Sequence, residues 1–396
     1  MDTGKKINRF PSGTVRVPPS KSLAHRALIC AALAEGESRI SGLELSQDIL
    51  ATRAALAQLM VDDGQSAVVD CRESGSTLRF MIPIAAALGL EAKFTGSGRL
   101  MERPMTPYQD IVQGFTQTKD AIRITGDLSG SPYTLPGNVS SQFVSGLLMA
   151  LPLTGQGGEI RVDGTLESSP YVALTIEVMR LFSVDVEQDG FRVFRIAPGQ
   201  TYKAAEYTVE GDFSQAAFFL VAGALGRPVE CLGLPEQSLQ GDRAILDILR
   251  QCGAEVQTGP NGGPVVTAQT LRAVSVDVSE IPDLVPILAV LFSFCEGESR
   301  IFGAARLRLK ESDRLAAIST ELNKLGGKVE QGGDTLKIQG VKALRGGEVD
   351  AWNDHRIAMA LAVAAIRCDG QVILRGSEAV NKSYPSFWQD FERGGL

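Results

Sequence analysis

The hexapeptide Glu35-Gly36-Glu37-Ser38-Arg39-Ile40 occurs again, residue for residue, at positions 296–301. Each copy follows an apolar segment typical of a buried helix. A wider pattern, in which a polar cap precedes an apolar helix, a Gly-containing turn and a strand, recurs at 74–96, 140–164, 212–234 and 353–376. Six copies of one pattern predict a fold built from a repeated supersecondary unit.

Two classes of helix alternate within this repeat. The apolar class has almost no charged residues and is therefore expected to be buried on most sides. Its members are predicted at 27–34, 78–88, 143–153, 216–225, 286–294 and 357–366. The amphipathic class is predicted at 48–60, 242–252 and 313–325. A unit that contains both classes has the order β-α-β-α-β.

The length of 396 residues accommodates two globules of three units each. Because one unit cannot bury its own apolar face, three units must pack their helices inward together. We predict an α/β protein with an N-terminal globule over residues 20–209 and a discontinuous C-terminal globule over 1–19 and 210–396. Two N-terminal units look shortened, because little room remains for further elements at 60–73 and at 107–121.

The charge and the cysteine spacing weigh against several classes of protein. A net charge of −7, from 46 acidic and 39 basic residues, argues against a nucleic-acid surface. No apolar run approaches the roughly 18 residues that span a bilayer, and the N-terminus lacks a signal-peptide core. The six Cys are widely spaced and His25 and His355 are the two His, so no zinc-site spacing exists. A cytoplasmic, metal-independent protein with reduced thiols is expected.

Polar and positively charged residues stand at the beginnings of four apolar helices, at 20–26, 73–79, 140–142 and 354–356. A Lys or Arg in the first turn costs roughly 0.3–1 kcal/mol unless an anion lies opposite, because the helix N-terminus is itself positive. Lys310 and Arg314 add two cations on one helix face. Helix N-termini with Ser hydroxyls and Arg side chains predict binding of phosphate and carboxylate groups. Neither glycine-rich nucleotide-binding motif is present, which argues against a nucleotide ligand.

These segments resemble the family of 5-enolpyruvylshikimate-3-phosphate synthases, also called 3-phosphoshikimate 1-carboxyvinyltransferases. The resemblance extends along the whole chain and rests on nine motifs in family order. The motifs are Pro19-Ser20-Lys21-Ser22 through Arg26, Glu73-Ser74-Gly75-Ser76-Thr77-Leu78-Arg79, Glu102-Arg103-Pro104, Leu135-Pro136-Gly137-Asn138-Val139-Ser140-Ser141-Gln142-Phe143, Ser169-Pro170-Tyr171, Ile281-Pro282-Asp283, Lys310-Glu311-Ser312-Asp313-Arg314, Asn353-Asp354-His355-Arg356 and Lys382-Ser383-Tyr384-Pro385.

The resemblance implies an inside-out α/β barrel of two globules, joined by two crossing strands and closing on substrate. Each globule would contain three β-α-β-α-β-β repeats around a pseudo-threefold axis. The implied reaction transfers the enolpyruvyl group of phosphoenolpyruvate to the 5-hydroxyl of shikimate 3-phosphate, in aromatic amino-acid biosynthesis, with no cofactor. We expect a monomer whose partners are these two small molecules, with neither nucleic acid nor membrane.

The resemblance also assigns site residues by position. Those implied to hold shikimate 3-phosphate are Lys21, Ser22, Arg26, Ser140, Ser141, Gln142, Ser168, Tyr171, Asp283 and Lys310. Those implied to hold phosphoenolpyruvate are Lys21, Gly75, Arg103, Gln142, Arg314, Arg356 and Lys382. The implied catalytic residues are Asp283 as proton acceptor, with Glu311 and Lys21 in proton transfer. Gly75 leaves room for glyphosate, the inhibitor of the family.

The chemistry of the transfer requires the same residue types. The methylene carbon of phosphoenolpyruvate is protonated, the alcohol adds to the neighbouring carbon, and phosphate leaves a tetrahedral intermediate while the methyl group loses a proton. A base for the hydroxyl, an acid and base for the carbon, and cations for carboxylate and phosphate are needed. Asp283, at the start of an apolar helix, suits the first role. Glu311, flanked by Lys310 and Arg314, suits the second.

Two positions depart from the family pattern, and three other functions stay open as alternatives. Glu73 and Arg306 stand where many relatives have Asn, which leaves the substrate contact at position 306 in question.

A UDP-N-acetylglucosamine enolpyruvyl transferase usually has a reactive Cys in a mobile loop, and residues 99–106 contain none. An RNA 3′-phosphate cyclase would need ATP and a basic RNA surface. A catalytically inactive ligand-binding relative is disfavoured by the presence of Asp283 and Glu311.

Overall fold

The structure is a computed structural model that describes residues 4–60 and 66–393. These residues form two compact units. The N-terminal unit is Lys21–Val209, and the C-terminal unit is residues 4–20 together with 210–393. Each unit has its own apolar core. Of the helices in the described ranges, none has the length and apolar character needed to cross a bilayer.

The helices and strands alternate along the chain. The helices are α1 Lys21–Leu33, α2 Gln47–Leu59, α3 Gly75–Ala87, α4 Ser141–Ala150, α5 Ser169–Leu181, α6 Phe213–Leu225, α7 Ile245–Gln251, α8 Val285–Phe292, α9 Arg314–Lys324, α10 His355–Ala364 and α11 Phe387–Glu392. The strands are β1 Lys5–Ile7, β2 Gly13–Arg16, β3 Arg39–Ser41, β4 Ala67–Asp70, β5 Ala92–Thr95, β6 Thr116–Gln117, β7 Ile122–Ile124, β8 Tyr133–Pro136, β9 Gly158–Asp163, β10 Glu187–Asp189, β11 Val193–Ile196, β12 Glu206–Thr208, β13 Val229–Leu232, β14 Glu255–Thr258, β15 Pro264–Thr267, β16 Ser275–Asp277, β17 Glu298–Phe302, β18 Lys328–Gln331, β19 Leu336–Gln339, β20 Leu344–Asp350 and β21 Cys368–Arg375.

Three apolar helices form the centre of the C-terminal unit. Every residue of α6, α8 and α10 is buried, and these helices pack against one another. The sheets around them have the strand orders β14-β15-β13-β2, β16-β17-β19-β18 and β1-β21-β20. Strands such as β16 and β17 alternate exposed and buried residues, as expected of a sheet with one solvated face. Helices inside and sheets outside match the inward packing predicted from the repeat and the inside-out α/β arrangement implied by the family resemblance.

The N-terminal unit follows the same plan with fewer elements. One repeat is complete, with the sheet β10-β11-β9-β8 and the helices α4 and α5. The repeat around α3 has the sheet β4-β5-β7-β6, and between β5 and β7 it contains short 3-10 turns at Leu100–Glu102 and Thr106–Tyr108 in place of an α-helix. The repeat around α1 and α2 has two paired strands, β12-β3.

Polar side chains set the beginnings of the helices, which start earlier than the apolar pattern alone predicts. The hydroxyl of Ser74 accepts from the backbone N–H of Thr77 at 3.2 Å, and the carboxylate of Asp354 accepts from that of Arg356 at 2.9 Å. Such N-caps satisfy N–H groups that have no partner within the helix. As a result, Arg79 is the fifth residue of α3 and Arg356 the second residue of α10. Lys21 is the first residue of α1.

One predicted helix begins differently, one predicted helix face is wrong, and one helix was not predicted. Lys310 was expected on one helix face with Arg314, but α9 begins at Arg314 and Lys310 lies outside it. The segment predicted as a helix from residue 242 begins with a 3-10 turn at Gly241–Ala244, and α7 follows it. Asp242 is buried in that turn and bonds to the hydroxyl of Ser214, so it does not act as a simple helix cap. Helix α5 was not predicted from the pattern, although Pro170 at its second position is a typical helix-start residue.

Candidate active site

Arg26 is a buried cation in the N-terminal unit whose hydrogen-bond partners are all neutral. Its guanidinium donates to the hydroxyl of Thr175 at 2.6 Å and to that of Ser145 at 3.4 Å. It also donates to the carbonyls of Ser22 and Tyr171 at 2.7 and 2.9 Å. Burial lowers the pKa of Arg26 to about 10, so the group stays charged at neutral pH. A buried cation whose partners among the described residues include no carboxylate favours the binding of an anion.

The N-terminus of α3 faces two buried guanidinium groups. A Cβ atom placed on Gly75 would lie 2.7 Å from Nη1 of Arg103 and 2.8 Å from Nη1 of Arg79. Nη1 of Arg79 donates to Oε1 of Gln142 at 2.9 Å, and Nε2 of Gln142 donates to the hydroxyl of Ser76 at 2.8 Å. The structure therefore brings Gly75, Arg103 and Gln142 together. It adds Arg79, whose signal in the sequence is a cation near the start of an apolar helix.

Lys21, the first residue of α1, is paired with a carboxylate that the sequence did not indicate. Its Nζ donates to Oδ2 of Asp48 at 2.6 Å, and the two side chains are 17% and 13% exposed. Asp48 lies in the first turn of α2, where a negative charge is favoured by the helix dipole. The pair orients the Lys21 ammonium at the beginning of two helices.

His25 links the starts of three helices as a neutral group. Its Nδ1 lies 2.7 Å from the hydroxyl of Thr52 in α2, which lies 2.7 Å from the hydroxyl of Thr77 in α3. Burial, and then the charges of Lys21 and Arg26, lower the pKa of His25 well below its usual value. The neutral imidazole of His25 therefore connects the three helices through hydrogen bonds and adds no charge to the site.

The remaining predicted residues of this unit surround the starts of α4 and α5. The hydroxyl of Ser140 accepts from the backbone N–H of Gln142 at 3.3 Å and caps α4, and Ser141 is the buried first residue of that helix. Ser168 precedes α5 with a φ of +57°, a left-handed conformation that is uncommon for a residue with a side chain. Tyr171 lies in the first turn of α5. Together with Arg26, these residues group hydroxyls and a cation, a set of the kind that binds phosphate.

Asp283 lies at the centre of the cation cluster of the C-terminal unit. Oδ1 accepts from Nη1 of Arg314 at 2.9 Å, and Oδ2 accepts from Nη2 of Arg356 at 2.9 Å. The Nζ of Lys310 lies 3.7 Å from Oδ1. Burial alone would raise the pKa of Asp283, but Arg356, Lys310 and Arg314 together hold that pKa well below its usual range. Asp283 is therefore ionised wherever the unit is folded at neutral pH.

Arg314 joins three carboxylates. Besides Asp283, it donates through Nη2 to Oε2 of Glu311 at 2.7 Å and through Nε to Oδ2 of Asp354 at 2.8 Å. Burial would lower the pKa of Arg314, but Asp354, Glu311 and Asp283 raise it above its usual value. The hydroxyl of Ser312 also donates to Oδ2 of Asp354, at 3.0 Å. Asp354 thus caps α10 and holds the Nε atom of the Arg314 side chain.

The two lysines of this unit differ in their surroundings. Burial lowers the pKa of Lys310 to about 8, with Asp283 opposing the shift and Arg314 adding to it. Lys382 is buried, and its Nζ donates to the backbone carbonyl of Asn353 at 2.6 Å. Lys310 can therefore gain or lose a proton near neutral pH. Lys382, by contrast, is held in position by the turn that precedes α10.

Further charged residues lie near this cluster. Burial raises the pKa of Asp242 to about 7, and the negative charge of Asp283 adds to the rise. Nη2 of Arg306 donates to the carbonyl of Ser279 at 2.6 Å. Arg306 also adds its charge to those that lower the pKa of Lys310. Asp242 gave no signal in the sequence beyond its place in a predicted helix.

Metal ligands are not grouped in the part of the chain that the structure describes. Within residues 4–60 and 66–393, no group of three or more His, Cys, Asp and Glu side chains is arranged to hold a metal ion. The two clusters instead offer buried cations, hydroxyls and three carboxylates held by Arg314. Such sets suit the binding of phosphate and carboxylate groups together with proton transfer.

Comparisons with known proteins give one consistent family. The family model for EPSP synthase (3-phosphoshikimate 1-carboxyvinyltransferase) matches residues 5–391. The 3-phosphoshikimate 1-carboxyvinyltransferase of Clostridium kluyveri is 46% identical, with 96% of this chain and 94% of the relative covered. That of Clostridium perfringens is 42% identical, with 99% of each chain covered.

Solved structures agree with the sequence comparisons. An EPSP synthase from Acinetobacter baumannii superimposes with a TM-score of 0.79 at 25% identity, over 99% of this chain and 98% of the other. The enolpyruvyl transferase NikO from Streptomyces tendae superimposes with a TM-score of 0.73 at 18% identity, over 98% of this chain and 96% of the other. At that identity the likeness to NikO concerns the fold alone.

Proposed function

The chain belongs to the EPSP synthase family, and on that premise we propose that it transfers the enolpyruvyl group of phosphoenolpyruvate to the 5-hydroxyl of shikimate 3-phosphate and releases phosphate. The observation that carries the proposal is Asp283, whose two oxygens each accept from an arginine at 2.9 Å. A carboxylate between two guanidinium groups combines a proton acceptor with cations for an anionic substrate. Both are needed at one place for this reaction.

In the proposed reaction each residue has one role. Asp283 accepts the proton of the 5-hydroxyl as that oxygen bonds to C2 of phosphoenolpyruvate. Lys21 and Glu311 deliver a proton to C3 and take one back from the resulting methyl group. The C2–O bond to phosphate then breaks, and phosphate leaves with its electron pair. The cations that would neutralise the leaving group and the carboxylate are Arg103, Arg314, Arg356 and Lys382, with Gly75 and Gln142 beside them.

Ten residues are proposed to bind shikimate 3-phosphate. In the N-terminal unit they are Lys21, Ser22, Arg26, Ser140, Ser141, Gln142, Ser168 and Tyr171. In the C-terminal unit they are Asp283 and Lys310. The neutral partners of Arg26 support this assignment, because they leave its charge available to a phosphate. We also infer that the enzyme acts as a cytoplasmic monomer, without a cofactor and without nucleic acid.

One assay tests the proposed function. Phosphate release is measured with phosphoenolpyruvate plus shikimate 3-phosphate, and in parallel with phosphoenolpyruvate plus UDP-N-acetylglucosamine, each with and without EDTA. We expect release with the first pair only, and no loss on chelation. Release with the UDP-sugar would assign the sister reaction. A lack of release with either acceptor, despite binding of both substrates, would identify an inactive relative.

Replacing Gly75 by Ala is expected to weaken phosphoenolpyruvate binding selectively. The added methyl group would lie within 3.0 Å of the Nη1 atoms of Arg103 and Arg79. Both are ends of flexible side chains, so the fold should tolerate the change while the cations move. We expect KM for phosphoenolpyruvate to rise about tenfold or more, because small displacements of binding groups are costly. KM for shikimate 3-phosphate should change little.

The matched control for this variant is Gly130→Ala. A Cβ atom at Gly130 meets nothing within 4 Å, and its φ is not in the left-handed region. Steady-state kinetics should therefore show a raised KM for phosphoenolpyruvate in Gly75→Ala and a parental KM in Gly130→Ala. An unchanged KM for phosphoenolpyruvate in Gly75→Ala would remove Arg103 and Arg79 from the proposed site.

The pH dependence of shikimate 3-phosphate capture should report Lys310. The pKa of Lys310 is lowered to about 8. The side chain is therefore positively charged below pH 8 and loses that charge as the pH rises above 8. The value of kcat/KM for shikimate 3-phosphate, which reports the unliganded enzyme, should fall above pH 8. The second ionisation of a phosphate monoester lies near pH ~6 and does not interfere. In Lys310→Arg the guanidinium keeps its charge, so the fall near pH 8 should disappear. A parent profile that stays flat to pH 9 would contradict the assignment.

A further inference from the structure

The turn that joins β20 to α10 has an unusual backbone. Trp352 has a φ of +54° and Asn353 a φ of +50°, so two consecutive residues with side chains adopt the left-handed conformation. Residues other than Gly persist there only where the surroundings hold them. We call residues 350–353 the Trp352 turn. Both of its left-handed residues lie immediately before Asp354.

Glu321 is the side chain that holds the Trp352 turn. It lies in α9 and is fully buried. Its Oε1 accepts from the indole Nε1 of Trp352 at 2.7 Å, and its Oε2 accepts from the backbone N–H of Asp350 at 3.1 Å. Lys324 donates to both oxygens, at 2.8 and 2.9 Å, and balances the charge. Within the turn, Oδ1 of Asp350 accepts from the backbone N–H of Trp352 at 2.6 Å.

The Trp352 turn and the residue after it contact two cations of the candidate active site. The carbonyl of Asn353 accepts from Nζ of Lys382 at 2.6 Å. The next residue, Asp354, accepts from Arg314 at 2.8 Å. Arg314 and Glu321 lie seven residues apart in α9, which is about two helical turns and therefore the same face. Helix α9 thus fixes the segment before α10 at two points.

We propose that Glu321 is a positioning residue for Lys382. Glu321 holds the Trp352 turn through the indole N–H, and the turn holds the Lys382 ammonium group in place for binding phosphoenolpyruvate. Glu321 is not among the residues proposed to bind substrate, and its effect passes through Trp352 and Asn353 to the Lys382 ammonium group. The part that concerns phosphoenolpyruvate rests on the proposed function. The part that concerns the position of Lys382 does not.

The test uses two variants that break the hold in different ways. Trp352→Phe removes the indole N–H but keeps an aromatic ring at a half-exposed position, so folding should be preserved. Glu321→Gln keeps the shape and removes the charge. Lys324→Met is the control, because Lys324 contacts Glu321 and not the turn. All are studied as full-length chains, and thermal unfolding of each is recorded.

The first readout is kinetic. Trp352→Phe and Glu321→Gln should raise KM for phosphoenolpyruvate about tenfold, leave KM for shikimate 3-phosphate within about twofold, and lower kcat less than KM rises. Lys324→Met should resemble the parent enzyme. A merely structural role would lower thermal stability without separating the two KM values. Equal changes in both KM values, or none in either variant, would overturn the proposal.

The second readout needs no catalysis. Acetic anhydride labels lysine amines, and peptide mass spectrometry gives the rate at Lys382 and at Lys21 in the same sample. Both variants should label Lys382 faster than the parent does, with the Lys21 rate unchanged. An unchanged Lys382 rate would overturn the proposal even if activity fell. Faster labelling in a chain that shows no enolpyruvyl transfer would contradict the proposed function and leave the positioning role supported.

Discussion

Replacing Asp283 by Asn is expected to reduce kcat by roughly 10²- to 10⁴-fold, the range that general acid–base groups contribute. The carboxylate is held at 2.9 Å by Arg314 and by Arg356, which keep its pKa well below the usual range. In that state it is a weak base. The carboxylate and phosphate of a bound substrate would compete for the same guanidinium groups. Binding should therefore raise the pKa of Asp283 when a proton has to be accepted.

The same competition sets the sign of the effect on binding. Asn keeps the size of Asp283 and one acceptor oxygen, but it no longer competes as an anion for Arg314 and Arg356. KM for phosphoenolpyruvate should therefore stay the same or fall while kcat collapses, and stopped-time assays of both substrates measure this. The matched control is Asp277→Asn, which changes an exposed carboxylate at the end of β16 and should keep parental rates. A KM increase that accounts for the whole loss in kcat/KM would make Asp283 a binding group and not a base.

The sequence predicted the fold well because the apolar helices are buried on all sides. Periodicity is a strong signal when a helix such as α6 or α10 has no solvent-facing residue. The beginnings of the helices were less predictable, since caps such as Ser74 extend them beyond the apolar run. Helix α5 was not predicted, although its two charged residues, Glu177 and Arg180, are compatible with an amphipathic helix.

The candidate site was predictable in its cations and not in their partners. Lys21, Arg314 and Arg356 stand out because helix starts disfavour positive charge. Apart from Glu311, which lies three residues from Arg314, their carboxylate partners are set by packing between elements that are distant in sequence. Lys21 pairs with Asp48 across 27 residues, and Arg356 pairs with Asp283 across 73. No local spacing in the chain encodes these contacts, so the pKa shifts that follow from them become visible only in the folded units.

Replacing Arg314 by Met is expected to lower the free energy of unfolding of the C-terminal unit by about 3–5 kcal/mol, the usual effect of removing one partner from a buried ion pair. Arg314 is 1% exposed and serves Asp283, Glu311 and Asp354, so its loss leaves three negative charges in one buried cluster. Equilibrium unfolding in urea measures the change. Arg250→Met, which removes an exposed pair with Asp247, should cost less than about 1 kcal/mol.

The pH dependence of this variant distinguishes charge from lost packing. In the parent the pKa of Asp283 is lowered, so its contribution to stability is present above the unfolded-state pKa and is lost as the pH falls through the folded value. Without Arg314 that lowering is reduced, and protonation relieves the uncompensated charge. The stability gap between parent and Arg314→Met should therefore be widest at neutral pH and narrow as the pH falls below about 4, where carboxylates protonate. A gap that stays constant with pH would show that Arg314 stabilises the unit by packing alone, and the three carboxylates would then be protonated or otherwise paired in the folded unit.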